Sequence, residues 1–283
     1  AVVWRPQAQH LPLAKVNLDH LLGDADIVHL GWPEHLFAPP DRAATGWQAD
    51  FLALIKALGT RPVKLIWTMH NRLPHRLGEH AWGRQLFATL APLVHGVIYH
   101  SAWGEAVVRA ELPFRADAIH AVIPHGHYGA DLPPASERAA LEAAMGLPPC
   151  RQRFGVIGRP QPEKQVDLII RAFLAAARPD QQLLVSALNP DTPVPADPRI
   201  IVLPRRSWLP RREIARQTRV CDALVSAHTG PTYLTSGLVA DAIGAGIPMV
   251  VPPWAFFREI LGDASLEYDG TEAGLAAAFA KLS

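Results

Sequence analysis

Two cysteines, three methionines and four tyrosines are all that 283 residues contain of these types. Cys150 and Cys221 stand outside any Cys-x-x-Cys pair or Cys/His cluster, which excludes a zinc ribbon and a scaffold built on several disulfides. A single bridge between them stays open, and free thiols in a reducing compartment are the default. No apolar run approaches the ~18 residues that a membrane-spanning helix needs. Net charge is nearly absent as well: 27 Lys and Arg against 26 Asp and Glu leave +1, no general attraction for nucleic acid. The local basic groups, Arg205-Arg206 and then Arg211, Arg212, Arg216 and Arg219, read as a loop followed by a solvated helix face. Ala1-Val2-Val3-Trp4-Arg5-Pro6 lacks the charged-then-apolar pattern of a signal peptide. A soluble, cytoplasmic protein is expected, with peripheral membrane contact left open and oligomeric state unread.

What is present is a globular composition, 49% hydrophobic and 19% charged, in a chain long enough for two modest α/β domains. Short Val- and Ile-rich runs alternate with amphipathic stretches, as strands covered by crossover helices do. In the first half strands are expected at 2–4, 26–30, 63–69, 96–99 and 118–123, and helices at 11–22, 47–58, 84–93 and 102–111, the last capped by Ser101. Pro124-His125-Gly126-His127-Tyr128-Gly129 and Asp131-Leu132-Pro133-Pro134 have the composition of a linker. Beyond it, helices are expected at 136–145, 166–177, 211–217, 238–244 and 271–282, with strands at 153–157, 182–187, 200–203, 223–226 and 248–251. The chain therefore divides into an N-terminal domain over 1–130, a linker and helix over 131–150, and a C-terminal domain over 151–283. Both domains are read as Rossmann-like parallel sheets whose ligand sites lie at the strands' carboxyl ends, facing an interdomain cleft.

Three segments carry possible chemistry. Gly158-Arg159-Pro160-Gln161-Pro162-Glu163-Lys164 lies between a strand and a helix, where glycine permits close backbone approach and two cations can neutralise a diphosphate. Two solvated cations would be the plain alternative. Gly230-Pro231-Thr232-Tyr233-Leu234-Thr235-Ser236-Gly237 is likewise placed, with Thr235 or Ser236 as a helix cap and the amides near Gly237 as an anion seat. Asp241 follows about one turn into that helix, suited to a ribose diol or to the helix macrodipole. Trp67-Thr68-Met69-His70-Asn71-Arg72-Leu73-Pro74-His75 puts His70 at a strand's carboxyl end, where an imidazole can transfer a proton or donate to a sugar hydroxyl, or be structural; His75 is the weaker candidate. Asp24-Ala25-Asp26 spells a metal-binding pattern but precedes its strand, and His125 and His127 have no third ligand nearby, so no metal is expected.

Gly158-Arg159…Lys164 resembles the phosphate-binding loop of retaining, family-4-like GT-B glycosyltransferases, Thr68-Met69-His70-Asn71 their Thr-Val-His-Asp segment, and Ile123-Pro124-His125-Gly126 the start of their interdomain linker. Asp241-Ala242-Ile243-Gly244-Ala245-Gly246-Ile247-Pro248 is similar to their ribose-binding segment. Trp32-Pro33-Glu34 and Thr235-Ser236-Gly237 match the exopolysaccharide and rhamnan-type branch, with Gly31 where that branch carries His. The resemblance implies a GT-B fold, an N-terminal acceptor domain and a C-terminal nucleotide-sugar donor domain. It implies metal-independent transfer of a hexose from a nucleoside-diphosphate sugar to a hydroxyl of a saccharide or small molecule, with no separate cofactor. His70, Arg159 and Lys164 become the catalytic candidates; Gly158, Tyr233, Thr235, Ser236, Gly237 and Asp241 would bind the donor, and Trp32, Glu34, Asn71 and His75 the acceptor. One departure matters: Tyr233 stands where the family has the first of two acids spaced eight apart, the second being Asp241. That substitution leaves the donor sugar and a retaining or inverting outcome open. It also keeps two rivals in play, a nucleotide-sugar 2-epimerase on the same fold and a non-catalytic nucleotide-sugar-binding subunit.

Overall fold

The computed structural model describes residues 17–35, 47–73, 80–189, 191–204, 209–228 and 232–282, so the expected strand 2–4 and the first part of helix 11–22 lie outside the described residues. The chain divides into two compact units, Ala1–Pro124 with Pro231–Thr235, and His125–Gly230 with Ser236–Ser283.

The first unit holds a four-stranded parallel sheet, β1 (Ile27–Leu30), β2 (Lys64–Thr68), β3 (Gly96–Tyr99) and β4 (Ile119–Val122), in the spatial order 1-2-3-4. Its helices are α1 (Leu18–Leu22), α2 (Trp47–Gly59), α3 (His80–Leu90) and α4 (Ala102–Glu111). Phe51, Ile55 and Leu58 recur along one face of α2 and are buried in a cluster with Leu86, Phe87 and Leu90 of α3 and with Leu65 and Trp67 of β2. Each such side chain contributes roughly 1.5–3 kcal/mol by leaving water. The helix expected over 84–93 starts earlier, at His80, and its α portion ends at Leu90. Ala91–Leu93 continues as a 3₁₀ turn because Pro92 cannot serve as an interior α-helical donor. Ser101 caps α4 as its sequence position suggests, its Oγ accepting from the Gly104 amide at 3.0 Å.

The second unit contains α5 (Arg138–Ala144), β5 (Gln152–Val156), α6 (Val166–Ala176), β6 (Gln181–Val185), β7 (Ile200–Val202), α7 (Arg211–Arg219) and β8 (Ala223–Val225). It continues through α8 (Gly237–Ala245), β9 (Met249–Val251), α9 (Ala255–Leu261), β10 (Ser265–Glu267) and α10 (Glu272–Lys281). All six strands are parallel, in the order β10-β9-β8-β5-β6-β7. Every residue of β6 is buried, as befits a strand with neighbours on both sides and cover on both faces. Phe154, Phe173 and Phe279 meet edge to face, with centroids 4.9 to 6.2 Å apart, and join β5 to α6 and α10. The buried Arg153 guanidinium pairs with Glu142 at 2.6 Å and donates to Gln182 and to the Val220 and Pro148 carbonyls, tying α5 to the sheet. Helix α9 and strand β10 were not anticipated from sequence; β10 is three residues long and all are only half-buried, which leaves no apolar run to read.

Two stretches fall on the other side of the expected boundaries. Residues 125–130 belong with the second unit because the backbone there lies directly on α8. The Tyr128 amide donates to the Ala240 carbonyl at 3.4 Å, and a Cβ on Gly244 would sit 2.6 Å from the Gly129 nitrogen. Residues 231–235 belong with the first unit, although their sequence neighbours on both sides do not. Tyr233 forms an antiparallel bridge with Asn71, the Arg72 amide donates to the Thr232 carbonyl at 2.8 Å, and Leu234 is buried in the first unit's core.

Candidate functional site

Strand order reverses in the second unit between β5 and β8, so the chain leaves these neighbours toward opposite sides and opens a crevice at their carboxyl ends. The glycine-bearing loop issues from β5 at that point. Gly158 has φ +111°, a conformation that favours glycine, and a Cβ there would lie 2.9 Å from Lys164 Nζ. Arg159 is exposed. The chain then turns through a 3₁₀ segment, Pro162–Lys164, and through Gln165, a non-glycine residue at φ +45°, before α6 begins. This reversal sends Lys164 back along the loop, where Nζ donates to the Ile157 carbonyl at 3.3 Å. Burial, and then the Arg159 charge, pull the Lys164 ammonium down to about 8, with Asp241 opposing them. From β8 come Ser226 and His228, both buried, with Ser226 Oγ and His228 Nδ1 2.7 Å apart. A pocket is lined by Val156, Ile157, Lys164, Ser226, His228 and Leu238 among others. Sequence reading missed Ser226 and His228. They directly follow an expected strand, but only the sheet order shows that this strand borders β5.

The segment before α8 differs from expectation in two respects. Ser236 occupies the N-cap position with extended backbone, yet its hydroxyl makes no capping bond; its carbonyl accepts from Val239 at 3.1 Å instead. Thr235 is half-buried and closes the stretch that belongs to the first unit, while Gly237 opens α8 and is exposed. Asp241 is not a first-turn acid complementing the helix dipole: it lies in the middle of α8, is buried, and pairs with Arg211 of α7. Burial raises its carboxyl above the usual range, and Arg211 counters only part of that shift. The Arg211 guanidinium also lies 4.0 Å from the Tyr128 ring centroid and 3.3 Å from the Asp131 carboxylate.

In the first unit the carboxyl ends of β1, β2 and β3 gather Trp32, His70 and His100. Thr68 Oγ1 and His29 Nε2, 2.7 Å apart, link β2 to β1 just before the chain reaches His70. The Trp32 and His70 rings are stacked, with centroids 4.0 Å apart and planes 12° from parallel, and His100 lies 5.0 Å from His70. Glu34 is buried in a short 3₁₀ turn, Pro33–His35. Asn71 and Tyr233, also buried, face each other through their bridge. His75 lies outside the described residues. The expected site residues therefore fall into two groups. Trp32, Glu34, His70, Asn71, Tyr233 and Thr235 belong to the first unit, and Gly158, Arg159, Lys164, Ser236, Gly237 and Asp241 to the second. Among the described residues no group of three or more His, Cys, Asp or Glu side chains could hold a metal ion, and no helix is long and apolar enough to cross a membrane.

Anabaena HepE, solved in complex with UDP, superposes with a TM-score of 0.67 over 95% of this chain and 71% of that one, at 17% sequence identity. The fold is GT-B. In sequence, the chain is 25% identical over 254 residues to the GDP-mannose:glycolipid 4-beta-D-mannosyltransferase of Xanthomonas campestris pv. campestris, covering 86% of this chain and 65% of that protein. It is 34% identical over 152 residues to the D-inositol 3-phosphate glycosyltransferase of Mycobacterium sp. (strain KMS), covering 49% of this chain and 32% of that one. The chain thus spans at most 65% of the length of these two relatives. No protein-family model matches it. The loop after β5 lies on the six-stranded sheet, and the Trp32–His70 stack on the four-stranded one.

Proposed function

We propose that this chain is a glycosyltransferase, moving a hexose from a nucleoside-diphosphate sugar to a hydroxyl of a saccharide or small-molecule acceptor. The observation that carries this reading is the loop at the strand-order reversal: Gly158 at positive φ, the exposed Arg159 and the half-buried Lys164, whose side chain lines a pocket at the carboxyl ends of β5 and β8. Breaking the anomeric bond leaves negative charge on the departing diphosphate, the largest electrostatic demand of the reaction. Arg159 and Lys164 would meet that charge without a metal, helped by the unpaired amides at the start of α8. An ammonium held near 8 by burial is stabilised by an arriving anion, which restores the missing countercharge.

The relatives point the same way. One uses GDP-mannose by name and one GT-B neighbour is solved with UDP, so GDP-mannose and UDP-glucose are the first donors to try. Trp32-Pro33-Glu34 and Thr235-Ser236-Gly237 support membership of the exopolysaccharide and rhamnan-type branch, hence a role in polysaccharide biosynthesis. A nucleotide-sugar donor would be drawn from the cytoplasmic pool, which supports that location. Asp241 would read the donor ribose only after exchanging part of its contact with Arg211 for the diol. His70 would orient the transferred sugar or assist proton transfer, and Trp32, Glu34 and Asn71 would face the acceptor. Thermal-shift titration with GDP, UDP, GDP-mannose and UDP-glucose tests the donor half, with Arg159→Ala and Lys164→Ala as controls. A shift that both variants reduce, Lys164→Ala the more, is expected; no shift with any nucleotide would sink the assignment.

A further inference from the structure

The Arg211 guanidinium, at the start of α7, is held from three sides by groups of the second unit. Its Nη2 donates to Asp241 Oδ1, and Arg211 is the one hydrogen-bond partner of that carboxylate among the described residues. The Tyr128 ring centroid lies 4.0 Å from the central guanidinium carbon. The third nitrogen, Nε, is buried and makes no hydrogen bond, although Asp131 Oδ2 is 3.3 Å away. A donor is therefore held in reserve beside a second carboxylate. Tyr128 and Asp131 are themselves fixed to α8. The Tyr128 amide donates to the Ala240 carbonyl, and Gly129 packs so closely on Gly244 that a Cβ there would sit 2.6 Å from its nitrogen. Asp241 in turn lies within electrostatic reach of the loop after β5, since its charge acts on the Lys164 ammonium. Leu238, about one turn earlier on α8, lines the pocket with Lys164. Burial pushes the Asp241 carboxyl up; Arg211 is the foremost group holding it ionised, with His125 behind, and Asp131 acts against them.

We propose that Arg211 is a positioning residue for the donor: it holds the Asp241 carboxylate ready for the ribose diol, so that the site prefers ribonucleotides to deoxyribonucleotides. A carboxylate accepts from both hydroxyls of a diol, whereas a neutral carboxyl carries a hydrogen of its own and accepts less. Without the guanidinium, a carboxyl buried in the middle of α8 takes up a proton. The arriving diol displaces part of Arg211 from Oδ1. The guanidinium then closes on Asp131 through Nε and is not stranded, while the Tyr128 ring keeps its plane. An ammonium in its place has no fixed fork with which to span two carboxylates. This role rests on the transferase reading of the same site and adds to it a choice between ribose and deoxyribose in the nucleotide.

The test is isothermal titration of the full chain with GDP and UDP and with the 2′-deoxy and 3′-deoxy forms of each. Wild type should bind at least one ribonucleotide about tenfold more tightly than its deoxy forms, the loss expected when a hydrogen bond to a charged group goes unmade. Arg211→Met should lower that ratio severalfold, and so should Asp241→Asn, whose amide has one accepting oxygen. Because Arg211 acts through Asp241, the double variant should lose no more of the ratio than Asp241→Asn alone. Arg211→Lys keeps the charge without the fork and should lower the ratio by less; it carries the test if the Met variant does not fold. A merely structural Arg211 would weaken ribo- and deoxyribonucleotides alike and leave the ratio at its wild-type value. That result, or equal binding of both kinds by wild type, overturns the role of Arg211 and leaves the transferase reading standing. Absence of binding by every nucleotide overturns that reading and the role together, so the two failures are distinguishable.

Discussion

In the six-stranded unit charge gathers around the carboxyl edge of the sheet: Arg159, Lys164, Asp241 and Arg211, with a buried Ser226–His228 pair lining the same pocket as Lys164. In the four-stranded unit the same edge carries rings: Trp32 on His70, with His100 behind. The difference matches two binding problems. A diphosphate is recognised by countercharge and backbone amides, which must be fixed in number and sign. A sugar is recognised by a flat apolar surface and a few hydrogen bonds, which tolerate more variation. Substitutions should therefore separate the two edges, charge changes acting on the donor and ring or volume changes on the acceptor.

The largest separation is expected at the loop after β5. Lys164→Ala removes a cation proposed to make a charge-assisted contact with the diphosphate, which would be worth ~1.5–3 kcal/mol or about 10- to 150-fold in donor affinity. Arg159→Ala should cost less, because Arg159 is exposed while Lys164 is half-buried. Isothermal titration with GDP-mannose or UDP-glucose reads both, and binding of methyl glycosides should not change. Equal losses for donor and sugar would erase the proposed division between the units.

Next is the Arg211 cluster, where one guanidinium serves Asp241, Asp131 and the Tyr128 ring. Arg211→Met leaves a buried carboxylate uncompensated, and because Arg211 is itself partly exposed the destabilisation should be about 2 kcal/mol. Arg211→Met with Asp241→Asn should regain part of that loss, since the amide carries no charge to strand. Denaturant melts of the two variants check this. A single variant as stable as wild type would show that the Arg211–Asp241 pair adds nothing net to stability.

Much of this was legible from sequence, and the misses have identifiable causes. Alternating apolar runs and amphipathic stretches located β1 to β9 because each had an apolar signature of its own; β10, Ser265-Leu266-Glu267, had none. The loop after β5 stood out as a candidate site because glycine, arginine and lysine sit within seven residues. Ser226 and His228 were not, because their relevance depends on β8 lying beside β5, a long-range pairing that no local pattern encodes. The same holds for 231–235: a stretch flanked in sequence by the second unit belongs to the first, where Tyr233 pairs with Asn71, more than a hundred residues earlier. Arg211 looked like one of several solvated arginines, and only the fold brings it to Asp241.

A third prediction concerns pH. Burial lowers Lys164 to about 8 from its ordinary value near 10.5, so the folded protein loses this proton before the unfolded chain does. A bound anion favours the protonated form, so donor affinity should be constant below about pH 8 and fall as pH rises through it, by up to tenfold per unit until the bound-state value is reached. The diphosphate of a nucleotide sugar is a diester without a proton to lose in this range, which makes GDP-mannose or UDP-glucose a better probe than GDP or UDP. Lys164→Arg keeps its charge throughout and should flatten the profile. A donor profile that still falls in Lys164→Arg would assign the pH effect to another group of that pocket.

The smallest expected effect compares two serines in the same formal position. Ser101 starts α4 in the first unit and its hydroxyl accepts from the Gly104 amide; Ser236 starts α8 in the second and its hydroxyl makes no such bond. Loss of a working cap costs ~1 kcal/mol, so Ser101→Ala should lower stability by about that amount. Ser236→Ala should lower it by only a few tenths, since no capping bond is removed. The order reverses for the ligand. If the α8 amides meet the diphosphate, Ser236 stands beside it, and Ser236→Ala should weaken donor binding severalfold while Ser101→Ala leaves it unchanged. A serine at a helix start that contributes little to stability yet moves donor affinity would mark the α8 terminus as a binding feature. A Ser236→Ala variant that loses a full cap's worth of stability with unaltered donor affinity would make it a structural one, and the anion seat would then rest on Arg159 and Lys164 alone.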